Sequence, residues 1–415
     1  MHLRAVARLL VLALGATFTL LATAGPEWGF FGHRRLNRLA VFTLDPDMMP
    51  LYRAQIEFLT DHAVDPDKRR YASPFEAVRH YIDLDHWGKS ERYRHVPRRW
   101  TDALLYRGEI QLTEGVDTII WRVDTILQGS KDYAFAGSSE VILRSDAGDN
   151  WTTDLARLRN FYYHNYLPKY YDDEKIVAPD SLAKLGLPFA GQPRVELREH
   201  FTEFGILPYH LLSMQRRLTN AFIDRDAERI IRLSAEMGHY LGDAHVPLHT
   251  TENYNGQLTG QTGIHAFWES RLPELFADDE YDFFVGKARY IEEPRDYYWE
   301  IVLKSHSLVD SVLNSERRLR KTYPQDQQMV FDERLGRTVK IESREFSDAW
   351  SREMQGMVEE RFRAAILSIG SVWYTCWVDA GQPDLTDLVP PVGLLGKSDT
   401  LDRAVGAGVI RGREH

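Results

Sequence analysis

Apolar residues recur at spacings of three and four through most of this chain, and that period limits its possible folds more than any other feature. It runs over Gly32 to Thr43, Pro208 to Ile223, Arg225 to Asp243, His265 to Phe276, Arg295 to Arg320 and Arg344 to Trp377. In the third segment Ile230, Leu233, Met237 and Leu241 fall on one helical face. The expectation is an all-α, mainly helical protein. One stretch departs from the period: between Tyr133 and Trp151, Val141-Ile142-Leu143 and the string Asp146-Ala147-Gly148-Asp149-Asn150-Trp151 suggest two short strands closed by a turn. That string looks like one Asp-box of a β-propeller, but a propeller requires several copies at a regular period and the chain has one. A small β-hairpin insertion is the expected exception to the all-α fold.

The ends read differently from the middle. Arg4 and Arg8 precede an apolar run from Leu9 to Ala24 that closes on Ala22-Thr23-Ala24, the pattern of a signal peptide and its cleavage site. Residues 1–24 are therefore expected to be removed, leaving a secreted or periplasmic protein with no stable membrane span. Residues 25–380 are expected to form one domain with an insertion at about 85–207. From 381 to 415 Pro, Gly and mixed polar residues suggest a tail. Cys376 is the only cysteine, so an intramolecular disulfide is impossible and stability must come from packing, with metal as a further source. Against 51 Lys and Arg stand 61 Asp and Glu, a net charge of −10, which excludes a generally basic nucleic-acid coat. A Gly-rich phosphate loop, a Gly-x-Ser-x-Gly elbow and a Cys-based metal motif are all absent from the sequence.

Histidine and carboxylate positions carry the chemistry. His239 and Asp243 lie four apart on an expected helix, so both side chains share one face and can grip one cation. His265 and Glu269 repeat the spacing. With 15 histidines and 61 carboxylates in 415 residues, about two such pairs arise by chance, so neither means much alone. Their surroundings change the weight: Asp243 is followed by Ala-His245-Val-Pro-Leu-His249, which ends the helix and adds two imidazoles. Upstream, Asp65 and His80 are fifteen apart, and Trp28-Gly-Phe-Phe-Gly-His33 opens the expected mature chain. So many groups that are hard to bury would each need a separate partner if no metal gathered them.

The ordered set Trp28 and His33, Asp65, His80, His239 and Asp243, Pro247-Leu248-His249, then His265 and Glu269 resembles the tri-zinc superfamily of bacterial zinc-dependent phospholipases C and single-strand-specific nucleases of fungi and plants. The resemblance spans residues 28 to about 276. It implies a phospholipase C/nuclease-like helical fold and two or three Zn²⁺ ions. Asp65, His80, His239 and Asp243 would hold one; His249, His265 and Glu269 a second; and His33, the Trp28 backbone and a bridging Asp243 a third. Paired zinc ions would lower the pKa of a water and clamp the oxygens of an in-line displacement at phosphorus. Asp65 would orient that water. Cleavage after Ala24 would leave three residues ahead of Trp28, whereas in well-known members the tryptophan is itself the mature N-terminus.

The implied activity is hydrolysis of phosphodiester bonds, of single-stranded nucleic acid or nucleotides, with phospholipid head groups as the alternative and a non-catalytic zinc-binding interaction protein as a second. Glu269, where the nucleases usually carry Asp, leans towards the phospholipase. Tyr81 leans towards the nuclease, since an aromatic after this histidine stacks a base in those enzymes and Asp83 could accept hydrogen bonds from it. As a lone tyrosine on an amphipathic helix, Tyr81 reads equally well as a core residue. Lys68, with Arg69, could meet the scissile or a flanking phosphate. His210 and His245 read as supporting or helix-packing residues, Trp373, Tyr374 and Trp377 as core anchors, and Cys376 as a buried apolar group. The pocket wall that would decide the substrate is expected in the insertion between Leu84 and Leu207. No obligate protein partner is implied.

Overall fold

A computed structural model describes residues 29–87, 96–123, 140–172, 174–334 and 337–388. The signal segment, Trp28 and most of the expected tail lie outside the described residues. The principal helices among the described residues are α1 (Phe30–Val41), α2 (Asp65–Arg69), α3 (Trp100–Arg107), α4 (Leu155–Asn165), α5 (Leu207–Ile223), α6 (Ala227–His245), α7 (Pro294–His306), α8 (Val309–Thr322), α9 (Arg344–Glu353) and α10 (Met357–Asp379). Helix α6 is the axis, packed against α1, α5 and α10. It starts where the Asp226 carboxylate accepts a hydrogen bond from the Arg229 N–H, satisfying an orphan donor of the first turn. It ends because Pro247 pushes Val246 into extended backbone, at φ −84° and ψ 122°. Ile230, Ile231, Met237 and Leu241 on α6 are fully buried, and each such side chain contributes about 1.5–3 kcal/mol relative to exposure.

Glycine decides how close α1 comes to α6. A methyl group on Gly238 would strike the Asn37 amide, which donates hydrogen bonds to the Leu59 and Ala235 carbonyls at 3.1 and 2.9 Å. One on Gly242 would sit 2.9 Å from His33 Nδ1 and 3.0 Å from Leu36 Cδ1. The two glycines, four apart on one face, let His33 reach the α6 histidine row.

The insertion is a sheet. Strands β1 (Gly108–Glu114), β2 (Asp117–Val123), β3 (Glu140–Ser145), β4 (Asn150–Asp154), β5 (Ile176–Val177) and β6 (Arg194–Glu199) pair antiparallel in the order β4-β3-β2-β1-β6-β5. Ile110, Leu112, Trp121, Val123, Leu143, Val195 and Leu197 alternate onto the buried face, towards α3 and α4. Glu109, Arg122 and Arg198 take the outer face, where Glu109 and Arg122 form a cross-strand ion pair at 2.6 Å. This corrects the all-α expectation: the protein is mixed α and β, and the expected lone hairpin is the β3–β4 edge of a six-stranded sheet. The other strands offer no single clear signal: β1 and β2 are joined by a tight turn between Glu114 and Asp117, β2 carries the unbroken apolar run Ile119-Ile120-Trp121, and β1 pairs with β6 across a long sequence separation. Their alternation is therefore weak beside the helical period.

Two expected long helices are broken. Arg295 to Arg320 divides into α7 and α8 at Ser307-Leu308, and Arg344 to Trp377 divides into α9 and α10, with Gly356 at φ 78° between them. Between α8 and α9 lies an unforeseen hairpin, β7 (Met329–Arg334) with β8 (Arg337–Glu342). A two-stranded hairpin is marginal alone, and this one is tied at its base. Ser343 donates its N–H to the Gln328 carbonyl at 2.9 Å and its hydroxyl to the Gln327 carbonyl at 2.6 Å; Gln328 Nε2 bonds the Arg320 and Tyr323 carbonyls. No helix among the described residues is long and apolar enough to cross a membrane.

Candidate metal centre

The α6 period places His239 above Asp243 on the face that meets α1. Six more residues converge on this pair, His33, Asp67, His80, His249, His265 and Glu269, making eight in all. They form four overlapping groups, His33/Asp67/His239, His80/His239/Asp243, His249/His265/Glu269 and His33/Asp243/Glu269, and within each group the ligand atoms lie within 4.8 Å of one another. Buried groups of this composition can hold a metal ion. Asp243 is the hub, with its carboxylate oxygens 3.0 Å from His80 Nδ1, 3.3 Å from His33 Nε2, 3.4 Å from His239 Nε2 and 3.7 Å from His249 Nε2. Glu269 is a second hub, 2.7 Å from His265 Nε2, 3.3 Å from His249 Nε2 and 3.4 Å from His33 Nε2.

Local structure aims these donors. His239 Nδ1–H donates to the Ala63 carbonyl at 2.8 Å and His265 Nδ1–H to the Tyr254 carbonyl at 3.2 Å, so each ring turns its Nε2 lone pair to the centre. His249 stands on the short turn Pro247–Thr250, whose His249 carbonyl accepts the Ile82 N–H at 2.9 Å and so joins the turn to the His80 segment. Glu269 lies in a π-helical turn, Phe267–Arg271, where the wider coil brings it back onto His265. Behind His80, Glu76 is 1% exposed, 3.8 Å from His80 Nε2, and receives the Tyr240 hydroxyl, Arg79 at 2.7 Å and Arg69 at 3.4 Å.

Electrostatics match a cation site. Burial alone would raise the Asp243 carboxyl, but the surrounding imidazoles, His239 and His249 foremost, hold it well below the usual carboxylate range. Glu269 is depressed in the same way, with His249 the chief cause opposing burial. Burial pushes His239 down to about 3, leaving it a neutral donor. For His33 burial also acts downward, yet hydrogen bonds to Asp243 and Glu269 overcome it and raise the ring well above its ordinary value.

Several sequence expectations are redirected. Asp65 belongs to none of the four groups: its carboxylate takes His62 Nδ1 at 2.6 Å and lies 3.8 Å from Lys68 Nζ. Asp67, two residues on, faces the centre instead, 3.7 Å from His239 and 3.8 Å from His80. Its carboxyl is lowered by His239 and His80 against the effect of burial. The short helix α2 turns these two carboxylates apart, a distinction that spacing alone does not make. Tyr81 and Asp83 are 4% and 5% exposed, and the Tyr81 hydroxyl donates to the Glu203 carbonyl at 3.1 Å. A ring so enclosed offers no face to a base, so the expected stacking role for Tyr81 is withdrawn. Arg69 is held by Glu236 at 2.6 Å and by Tyr240, while its neighbour Arg70, 3.5 Å from Asp67, reaches the cavity wall. His245 packs: Nδ1–H donates to the Leu241 carbonyl, Nε2 meets Ser368 at 3.2 Å, and burial pushes it down to about 3. His210 is buried edge-on to Tyr240. Trp28 lies outside the described residues.

The centre floors a cavity of about 400 Å³. Its walls are Arg70 and Tyr71, most of the stretch from Thr262 to Arg271, and Met329, Val339, Lys340, Ile341 and Glu342 of the β7–β8 hairpin. None of the described residues between 85 and 207 lines it; the expected wall is supplied instead by the β7–β8 hairpin. Nothing in the histidine pattern pointed to the hairpin; Glu76, by contrast, could have been found four residues before His80.

The approach of α1 gives a direct check. Gly242→Ala adds helix propensity worth up to about 1 kcal/mol, yet the new methyl must push His33 from its place. The expected result is a 10- to 100-fold loss of metal affinity with little change in helix content, read by metal titration and circular dichroism. Unchanged affinity would show that His33 is not held by this contact.

Fold and site together define a class, a mixed α and β protein built round a buried histidine and carboxylate centre able to hold metal at the floor of an open cavity. No protein-family model matches the sequence, and no curated protein matches it.

Proposed function

We propose that the chain is a zinc-dependent phosphodiesterase of the phospholipase C and single-strand nuclease kind, acting on single-stranded nucleic acid or nucleotides outside the cytoplasm. The observation that carries this reading is the sharing of Asp243 and Glu269 between neighbouring ligand groups, since carboxylates common to adjacent sites hold metals as a set rather than singly. The donors fit zinc: imidazole and carboxylate, buried, with two rings fixed by backbone carbonyls. His80, His239 and Asp243, with Asp67, would hold one ion; His249, His265 and Glu269 a second; and His33 with the Asp243 and Glu269 carboxylates a third. When bound, such ions supply Lewis acidity and a nucleophile at neutral pH. The water-orienting role expected of Asp65 passes to Asp67. Arg70 and Arg271 bring positive charge to the wall where phosphate oxygens would lie, offsetting the net charge of −10.

Glu269 and the apolar side chains of Met329, Val339 and Ile341 on the cavity wall support a second reading, cleavage of phospholipid head groups. The deciding experiment loads purified protein with zinc and offers a 5′-labelled single-stranded oligonucleotide, with and without a chelator. Cleavage that the chelator stops is the expected result. A sample shown to hold zinc that spares the oligonucleotide but opens phosphatidylcholine vesicles would replace the nuclease reading with the phospholipase one. Inactivity on every diester would leave a metal-binding interaction protein.

A further inference from the structure

The β7–β8 register sets an aromatic ring beside a lysine that lines the cavity. Phe331 lies directly opposite Lys340, so the two side chains project from the same face of the hairpin. The next pair on that face, two residues along each strand, is Met329 and Glu342, and Met329, Glu342 and Lys340 all line the cavity above the metal centre. Val339 and Ile341, from the other face of the hairpin, line the cavity as well; Phe331 is not itself a lining residue, but it shares its face with Met329 and Lys340 and is 77% exposed, although a large apolar side chain gains by burial. The hairpin base is fixed to the centre itself: Arg271, two residues beyond Glu269, donates from Nε to the Glu342 carbonyl at 3.2 Å.

We infer that Phe331 and Lys340 form a substrate platform at the cavity rim, with the ring stacking on a base of a single-stranded nucleic acid while the ammonium group meets a phosphate flanking the scissile one. The inference rests on the phosphodiesterase reading and supplies the stacking surface that buried Tyr81 does not. Stacking suits a site that reads chemistry rather than sequence, because every base presents a π-face and successive bases are separated by a phosphate. A lysine beside the ring matches that alternation. A lipid surface would instead call for several exposed apolar residues at the rim, and on this face Phe331 is followed by charge.

The test uses full-length zinc-loaded protein and the variants Phe331→Ala, Phe331→Trp and Lys340→Ala, with three readouts. The first is the ratio of kcat/KM on a single-stranded oligonucleotide to that on methyl p-nitrophenyl phosphate, a diester too small to span the rim. The second is fluorescence-anisotropy binding of a labelled oligonucleotide with hydrolysis blocked by low temperature and a phosphorothioate backbone. The third is sedimentation with phosphatidylcholine vesicles. Phe331→Ala should lower the ratio and the oligonucleotide affinity about 5- to 100-fold, and Phe331→Trp should restore both. Lys340→Ala should reduce the slope of log affinity against log salt by about 0.7, one phosphate contact on a single strand. Equal losses on the two substrates, or oligonucleotide binding that none of the variants changes, would overturn the platform while leaving the phosphodiesterase reading intact. Loss of vesicle binding in Phe331→Ala with oligonucleotide binding unchanged would overturn it in favour of a lipid contact. Failure of zinc-loaded wild type on both the oligonucleotide and the small diester would count against the phosphodiesterase reading, and the binding arm would still judge the platform.

Discussion

Asp243→Asn should empty the centre. This carboxylate is 1% exposed and stands within 3.0–3.7 Å of His80, His33, His239 and His249, so one substitution withdraws an anionic ligand from two of the four groups at once. Asparagine keeps the shape and a carbonyl oxygen but removes the charge, and its amide would turn a donor towards rings whose lone pairs already face inward. The expected outcome is loss of bound zinc by elemental analysis and a fall in diester hydrolysis of about a thousandfold or more. Thermal stability in excess zinc should fall towards that of the chelated wild type, because metal that binds the native state alone stabilises it by mass action. Full zinc content with full activity would refute the centre. Full zinc content with no activity would instead move Asp243 from holding metal to handling substrate.

The second large effect separates two carboxylates on one turn. Asp67→Asn is expected to lower zinc content and to cost about a hundredfold or more in kcat/KM, because Asp67 lines the cavity and faces His239 and His80. Asp65→Asn should stay within about tenfold of wild type, since Asp65 serves His62 and Lys68 on the far side of α2. The contrast is the informative quantity. If Asp65→Asn proves the more damaging, the resemblance in sequence spacing, fifteen residues from His80, describes the active arrangement better than the geometry of α2 does. Zinc content and kcat/KM measured together also distinguish a lost ligand, which lowers both, from a lost water-orienting group, which lowers kcat alone.

The centre was legible because its logic is local. A histidine and a carboxylate four apart on an amphipathic helix must share a face, and His239/Asp243 and His265/Glu269 do so; His249 follows because Pro247 stops the helix within reach. His33 and His80 were named from order along the chain, and the structure brings both to Asp243. Where a position depended on the path of a short or irregular segment, reading by order failed. Asp65 and Asp67 differ by two residues, and only the direction of α2 chooses between them. Tyr81 reads as well for a binding surface as for the core until the 203–205 segment is seen to cover it.

By itself the sequence determined the helical frame round α6 and a set of histidines and carboxylates too large to bury without a common partner, because helical period and ligand spacing are written in neighbouring residues. The tertiary structure alone decided the six-stranded sheet, the choice of Asp67 and the hairpin that walls the cavity. The β1–β6 pairing and the seating of the hairpin over the metal centre join residues far apart in the chain, and even the local β1–β2 and β7–β8 pairs are selected by packing against partners that no local window contains.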